Sequence, residues 1–309
     1  MNGSRRHLTF QLVGGLGNQL FGYFAGLTVA RERKLEIRFD VSQFNKGFTA
    51  HGSDIQSFDL EGEFLTTKRT SRFLAQVFGF VKSSPLTPKF LKGAADRLYP
   101  EYTSEVDGFD SDVFQTRPGS LIRGYFQSFV YLDKLRVGGN FKPLTLKFPS
   151  DWYKNMTSLL DAEKPAAIHL RRGDYRLLAE QFGLLSNNYY WDALQELGKT
   201  IGDEFNVWIY SDDMAAAKEE LGPMLEQVSG LKTIRWIEPP PGNDPAESLL
   251  LMSQASANII SNSTFAWWGA ALNLNNGPVI APKKWFRGKS DPDFLYPEKW
   301  IKVKSTWVQ

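Results

Sequence analysis

Short apolar runs alternate with amphipathic stretches throughout the second half of the chain. The runs at 168–170, 207–210, 233–237, 258–260 and 278–281 have the length and the aliphatic or aromatic content of buried strands. Between them, residues 189–199, 215–221 and 246–255 place apolar side chains at helical spacing. Strands that alternate with helices predict a parallel, doubly wound α/β sheet.

The N-terminal segment has the same rhythm. Leu8–Val13 predicts a buried strand, a glycine turn and an amphipathic helix follow, and Leu35–Phe39 predicts a second strand. The glycine spacing approaches a dinucleotide-binding fingerprint, with Asp40 near the distance of a ribose ligand, but Leu20 replaces the third glycine. An NAD-dependent oxidoreductase is therefore one alternative. A tight turn that only packs the helix against the strand is another.

The middle of the chain carries weaker signals. Residues 73–81 are apolar with basic flanks, which predicts a packed helix of the first domain, with a membrane surface as the alternative. Asp110-Ser111-Asp112 resembles a metal-binding Asp-x-Asp motif, but we predict a solvated turn because no obvious strand precedes it. Residues 142–161 are expected to lead into a new unit, so we predict domains at 1–160 and 161–309.

Polar groups follow three of the predicted strands. These are Arg171-Arg172, Asp212-Asp213 and the run from Ser261 to Thr264. Because the carboxyl ends of parallel strands share one edge, all three groups are expected to line one crevice. Guanidiniums, hydroxyls before a helix N-terminus and a carboxylate together suit a purine nucleoside diphosphate, with the carboxylate accepting from guanine. The alternatives, taken singly, are helix caps and a surface ion pair.

Composition and charge limit the classes of protein to which this chain can belong. The 309 residues carry a net charge of +2 without a basic block, which is too small to suggest nucleic acid, so we predict no nucleic-acid partner. There is no cysteine and there are only three histidines, so disulfides and thiolate sites are excluded and we predict no metal site. Without a signal-peptide core or a long apolar stretch, we expect a cytoplasmic protein, with weak peripheral association at the inner membrane face as an alternative.

Four segments of the chain form a distinctive set, namely Gly14–Phe21, Gly124–Ser128, His169–Tyr175 and Ser261–Trp268. A shorter segment, 210–213, lies between the last two of them. Together these segments resemble glycosyltransferase family 11, the bacterial α-1,2-fucosyltransferases. Residue 266 is alanine where the common form of the final motif has serine, a change that we expect to be tolerated.

The resemblance implies a GT-B architecture of two facing Rossmann-like domains, with parallel sheets and the active site between them. The C-terminal domain would hold GDP-fucose and the N-terminal domain would shape the acceptor site. Arg171 would contact the β-phosphate and stabilise the departing GDP, and Arg172 would support Arg171 and Asp174. His169 and Asp213 would contact the nucleoside, with Asp213 facing guanine. The remaining implied contacts, all to the donor, come from Ser263, Thr264 and Phe265 on one side and Gly15, Gly17 and Asn18 on the other.

The implied reaction is an inverting transfer of fucose to a terminal galactose hydroxyl, independent of metal and with no cofactor besides the donor. Asp174 is a candidate general base, with orientation of the arginines as its alternative role. A non-catalytic carbohydrate-binding protein would explain the nine Trp and eleven Tyr, but it would not explain two arginines beside a hydroxyl-rich turn. Protein O-fucosylation is a neighbouring activity, against which the lack of cysteine and of a signal peptide weighs.

Overall fold

The computed structural model describes residues 7–44, 54–66, 88–202 and 204–308, which form two compact units. The first unit runs to Lys142 and includes Pro292–Leu295. The second contains Ser57–Asp59, Pro143–Asp291 and the chain from Tyr296 onward. The division at 142/143 lies earlier than the boundary predicted at 160/161.

The first unit is built on a five-stranded parallel sheet with the order β3-β2-β1-β5-β4. The predicted strand–turn–helix–strand segment is present, with β1 and β2 in register from His7 opposite Glu36 to Gln11 opposite Asp40. Its strands are β1 (His7–Gln11), β2 (Glu36–Asp40), β3 (Glu63–Leu65), β4 (Glu101–Thr103) and β5 (Leu121–Arg123). Its described helices are α1 (Leu16–Arg33), α2 (Lys89–Leu98) and α3 (Phe129–Val137).

Helix α1 lies directly on this sheet because its packing face carries glycine. A side chain at Gly26 would come within 2.8 Å of the Phe39 ring and 3.1 Å of the Phe10 ring, both of which are fully buried. At the start of the same helix, Gly14 has a φ of 68°, a left-handed conformation that favours glycine. These glycines place the first turn of α1 at the carboxyl end of β1.

The second unit contains a six-stranded parallel sheet with the order β11-β10-β9-β6-β7-β8. Its strands are β6 (Ala166–Leu170), β7 (Phe205–Ser211), β8 (Leu231–Trp236), β9 (Ala257–Ile259), β10 (Val279–Pro282) and β11 (Ile301–Val303). Its described helices are α4 (Asp151–Glu163), α5 (Asn187–Ile201), α6 (Met214–Leu225), α7 (Pro245–Ser253) and α8 (Thr264–Ala271). All five predicted strands of this half are present, so the predicted α/β class with parallel sheets is confirmed.

Helix α4 explains the early division between the units. Ser150 caps it by accepting from the backbone N–H of Tyr153, and Ser150 also donates to Glu247 on α7. The Tyr153 hydroxyl accepts from Gln254 at 2.8 Å, just beyond α7. The segment predicted to be a passage is therefore a helix of the second unit. The helix predicted at 189–199 begins two residues earlier, with Ser186 as the N-cap of α5.

Two minor predictions concern the first unit. Asp110 is not in a solvated turn as expected, because it is buried and accepts a 2.6 Å hydrogen bond from Tyr102, while the exposed Asp112 begins a short 3-10 helix. The predicted apolar helix at 73–81 lies outside the described residues. None of the helices in the described part of the chain is long and apolar enough to cross a bilayer.

Candidate active site

The three polar groups predicted to converge do follow neighbouring strands, since β6 lies between β9 and β7 in the sheet. The His169 imidazole Nδ1 lies 2.8 Å from the Ser261 hydroxyl, which joins the end of β6 to the turn after β9. On the other side, the backbone N–H of Arg172 donates to Asp212 Oδ1 at 2.8 Å, which joins β6 to the turn after β7. All three groups therefore lie at one edge of the second unit.

Arg171 is the central cation of this edge. Its Nη2 lies 2.6 Å from Asp174 Oδ1 and its Nη1 lies 3.2 Å from Asp212 Oδ2. The guanidinium also packs over the Tyr175 ring, with 5.2 Å from Cζ to the ring centroid. Its Nε is buried and donates to no described residue. The side chain is thus held in a fixed orientation, and its Nε–H is left without a partner among the described residues.

Arg172 occupies a different environment, although it is adjacent in sequence. Its side chain is buried, and Nε and Nη2 donate to the Glu220 carboxylate at 2.5–3.0 Å. The remaining bonds go to the carbonyls of Arg171 and Leu185. Burial is the largest single effect and lowers the pKa of Arg172, but the hydrogen bond to Glu220 and the electrostatic effects of Tyr190, Glu220 and Asp212 together outweigh it, so the net pKa is raised. Arg172 therefore supports the site from within, and its donors are not directed to a ligand.

The two adjacent aspartates also differ. Asp212 accepts from the backbone N–H of Arg172 and forms an ion pair with Arg171, and a Cβ on Gly173 would collide with its carboxylate and force it to move. Asp213 is the N-cap of α6, where Oδ1 accepts from the N–H of Ala216 at 3.0 Å. Its Oδ2 lies 3.3 Å from the exposed guanidinium of Arg176. Asp213 thus has the capping role that was the alternative to ligand binding, and Oδ2 is the oxygen that the cap does not use.

The hydroxyl-rich turn is anchored by Asn262, whose buried amide donates to three carbonyls, those of Phe182, Gly183 and Trp285. Ser263 is the N-cap of α8 but makes no side-chain hydrogen bond to the helix. The first amides of a helix have no intrahelical acceptor, so those of Thr264 and Phe265 are available at this edge. An uncapped helix N-terminus favours an anion.

His169 is buried against the ring of Phe265, with the ring centroids 5.8 Å apart. Burial, assisted by the charge of Arg171, lowers its pKa from 6.5 to about 3. The imidazole is therefore neutral at physiological pH. Its Nδ1 is already engaged with Ser261, so this nitrogen positions the hydroxyl turn.

This shifted pKa predicts an acid-sensitive stability. As the pH falls from about 6.5 towards 3, the unfolded chain gains a proton on residue 169 that the folded state does not accept, so stability is lost. We expect His169→Asn, which keeps a hydrogen-bonding group, to remove a slope of up to about 1.4 kcal/mol per pH unit. Urea unfolding of both proteins at pH 7, 6, 5 and 4.5 measures this. Curves that stay parallel over that range would contradict a neutral, buried His169.

The predicted residues of the first unit lie at the carboxyl end of β1. Gly15 is the N-cap of α1, without a side chain to cap it, and Gly17 and Asn18 belong to the first helical turn. The Asn18 Oδ1 accepts a 2.9 Å hydrogen bond from Gln127 Nε2. Two of the segments that carried the resemblance, 14–21 and 124–128, therefore meet within this unit.

Several residues of the site were not predicted from the sequence. Glu220 follows Arg172 by 48 positions, and no local pattern links them. Arg171 pairs with Asp212 and not with Asp213, because Asp213 caps α6. The sequence had indicated such a cap only as an alternative. Gln127 lay inside a recognised segment, but its contact with Asn18 has no sequence signature. The described residues contain no group of three or more His, Asp or Glu side chains arranged to hold a metal ion.

Solved structures establish the class of fold. NodZ α-1,6-fucosyltransferase soaked with GDP-fucose aligns with a TM-score of 0.51 at 13% identity, over 90% of this chain and 95% of that one. A mutant of FUT1 from Arabidopsis thaliana, solved with GDP, aligns with a TM-score of 0.52 at 13% identity, over 100% and 79% of the two chains. The two parallel-sheet units thus have the GT-B glycosyltransferase fold, as predicted.

The family follows from sequence comparison. Residues 155–308 match the model of glycosyl transferase family 11, so this C-terminal half belongs to that family and the chain is a glycosyltransferase. The Alpha-1,2-colitosyltransferase of Escherichia coli is 26% identical over 308 residues, 95% of this chain and 98% of that protein. The O-antigen biosynthesis glycosyltransferase WbnK, also of Escherichia coli, is 26% identical over 324 residues, 94% and 99% of the two chains.

Proposed function

We propose that this glycosyltransferase transfers fucose from GDP-β-L-fucose to the 2-hydroxyl of a terminal galactose, with inversion and without a metal. The observation that carries the donor assignment is the buried Arg171 Nε, which has no partner among the described residues and lies at the sheet edge where α8 begins uncapped. A fixed guanidinium and unpaired helix amides are complementary to a diphosphate.

The proposed nucleoside contacts follow from the same edge. Guanine presents an N1–H and an exocyclic amine, a pair of donors that adenine lacks. Asp213 Oδ1 accepts from the first turn of α6, and guanine would replace the exposed Arg176 at Oδ2. His169 would act through Ser261 and Phe265, which it contacts directly.

In the proposed reaction, the acceptor oxygen attacks the anomeric carbon from the face opposite GDP. The bond between that carbon and the β-phosphate oxygen breaks, and its electron pair stays on GDP, where Arg171 stabilises the growing charge. Asp174 lies on Arg171 at 2.6 Å, which supports its orienting role over that of a base. Because the sugar carbon is cation-like, a weak base on the acceptor's side of the sugar, such as a water molecule, suffices to take the acceptor proton.

The linkage and the sugar have different support. The name of the Alpha-1,2-colitosyltransferase supports the linkage but names another sugar, whereas the GDP-fucose bound by NodZ supports fucose. Transfer of colitose from its GDP derivative is therefore the second candidate function. Both candidates use the same diphosphate site.

The test is binding first and transfer second. We expect GDP to bind at least about tenfold more tightly than ADP in calorimetry, because loss of a hydrogen bond to a charged group costs about 1.5–3 kcal/mol. We then expect GDP-fucose and a galactose-terminated oligosaccharide to give an α-1,2-fucoside, identified by mass spectrometry and NMR, at an unchanged rate in EDTA.

Three outcomes would overturn parts of this proposal. Equal affinity for GDP and ADP would remove the guanine assignment. Binding of GDP without any cleavage of GDP-fucose, with or without acceptor, would favour either a carbohydrate-binding protein or the second candidate donor. A reaction with GDP-colitose distinguishes these two explanations. A rate that falls in EDTA and recovers with Mg²⁺ would contradict metal independence.

A further inference from the structure

The segment 124–128 of the first unit contains backbone strain at an aromatic residue. Phe126 has a φ of 54°, in the left-handed region that bulky side chains avoid. Its ring is buried, 5.5 Å from the ring of Phe10 and 6.0 Å from that of Tyr131 by centroids. Gly124, two residues earlier, also has a positive φ, of 156°. Packing thus holds a strained loop in place, and such strain is concentrated at functional sites.

The residue that this loop positions is Gln127. Its side chain is only 7% exposed, and Nε2 donates to Asn18 Oδ1 at 2.9 Å. Its Oε1 is buried and accepts from no described residue. An unpaired buried acceptor is unfavourable, so a natural protein rarely keeps one without a reason. The one bond that the Gln127 amide does make is directed at the first turn of α1.

That bond determines which way the Asn18 amide faces. Since Oδ1 is occupied by Gln127, Nδ2 is the end that remains for other partners, and it donates to none of the described residues. Gly14 makes room for it, because a Cβ there would lie 2.7 Å from Nδ2. Asn18 is partly exposed, unlike Gln127. The partly exposed amide therefore presents a donor, and the buried amide fixes it.

We propose that Gln127 is a positioning residue, which holds Asn18 so that its Nδ2 donates to an oxygen of the bound substrate. This inference rests on the proposed function, because it takes the nucleotide sugar or its acceptor as that substrate. A phosphate oxygen and a sugar hydroxyl both accept from an amide, so the shared chemistry is an oxygen acceptor. The source of that oxygen is separated by the experiment.

The test uses two replacements of Gln127 with opposite consequences for Asn18. In Gln127→Glu a carboxylate accepts but does not donate, so the Asn18 amide must rotate and present Oδ1 to the substrate. In Gln127→Met the hydrogen bond is lost without a forced rotation. We expect kcat/KM for fucosyl transfer to fall about 10- to 100-fold in Gln127→Glu and less than about tenfold in Gln127→Met.

A double-variant comparison distinguishes positioning from a structural role. If Gln127 acts through Asn18, then Gln127→Met in an Asn18→Ala background lowers kcat/KM no further. If the two residues act independently, the fold-losses of the two single variants multiply in the double variant. Gln227→Met is the matched control, because Gln227 is exposed in the second unit and donates to the Pro223 carbonyl. Thermal unfolding checks that the Gln127 variants are folded.

The substrate oxygen is located by comparing ligands. A phosphate contact raises the dissociation constant of GDP itself in Asn18→Ala, whereas a contact with a donor hydroxyl weakens only GDP-fucose, and a contact with the acceptor raises only the acceptor KM. The positioning role would be overturned if the losses of kcat/KM at the two positions multiplied, or if Gln127→Glu were as active as Gln127→Met. Neither result would affect the proposed fucosyl transfer. A wild-type protein that neither binds GDP nor cleaves GDP-fucose would overturn both.

Discussion

Replacing Arg171 by alanine is expected to lower kcat by about 10²–10³, which corresponds to about 3–4 kcal/mol of transition-state stabilisation. The size follows from its fixed position: two carboxylates and an aromatic ring hold the guanidinium, so it needs no reorganisation when charge develops on the leaving diphosphate. Arg171→Lys keeps the charge but loses the planar fork, and an intermediate rate is expected.

The measurement is single-turnover cleavage of GDP-fucose at saturating acceptor, with GDP affinity determined in parallel. Arg235→Ala is the matched control, since Arg235 is an arginine of the same unit, on β8, and its ion pair is with Glu163 at the end of α4. A folded Arg171→Ala protein whose turnover stays within a few-fold of wild type would refute the role assigned to this side chain.

Replacing Glu220 by alanine is expected to destabilise the protein by about 3–5 kcal/mol, because it leaves the buried guanidinium of Arg172 without its counter-charge. Arg172→Met is expected to cost less, because Glu220 is partly exposed and water replaces its lost partner, although the Leu185 carbonyl loses a donor. The double variant Arg172→Met/Glu220→Leu should recover much of the loss, since replacing both partners by apolar groups removes the unpaired charge.

Urea unfolding gives these free energies, provided that the dependence on denaturant is the same for all variants. The activity of Arg172→Met is informative as well. In the wild-type protein the Arg172 side chain donates to the Arg171 carbonyl, and the Arg172 backbone N–H donates to Asp212. Loss of the side-chain bond is expected to lower turnover moderately at a temperature where the variant is folded. Glu220→Ala with wild-type stability would contradict the structural role of this ion pair.

The sequence was sufficient to predict the strands of the site and their common edge, but not which role each residue has there. Alternating apolar runs identified β6, β7 and β9, and the parallel arrangement placed their polar ends at one edge. The sequence does not distinguish Arg171 from Arg172, because the directions of two adjacent side chains in a turn depend on partners that lie elsewhere in the fold. The partner of Arg172 comes from α6, and that contact depends on packing between distant segments.

The domain boundary shows a second limit. Residues 151–163 form an amphipathic helix, but its apolar positions are few, and what joins its N-terminus to the second unit is the pair of bonds from Ser150 to Glu247. Similarly, Ile301-Lys302-Val303 is too short and too charged to be predicted as a strand, although it completes the edge of the second sheet beside β10. Both elements depend on neighbours that lie far away in sequence.

The two carboxylates on Arg171 also bear on which anions this edge tolerates. A guanidinium that already has Asp174 and Asp212 as partners exerts little long-range attraction, so inorganic phosphate or sulfate in the surrounding solution gains little by displacing them. A nucleotide whose base and sugar are held elsewhere brings its phosphates to high local concentration, so they bind at Nε while both carboxylates stay in place. Such an arrangement favours the nucleotide over common anions, and the negative charge of the two carboxylates also favours release of GDP after transfer.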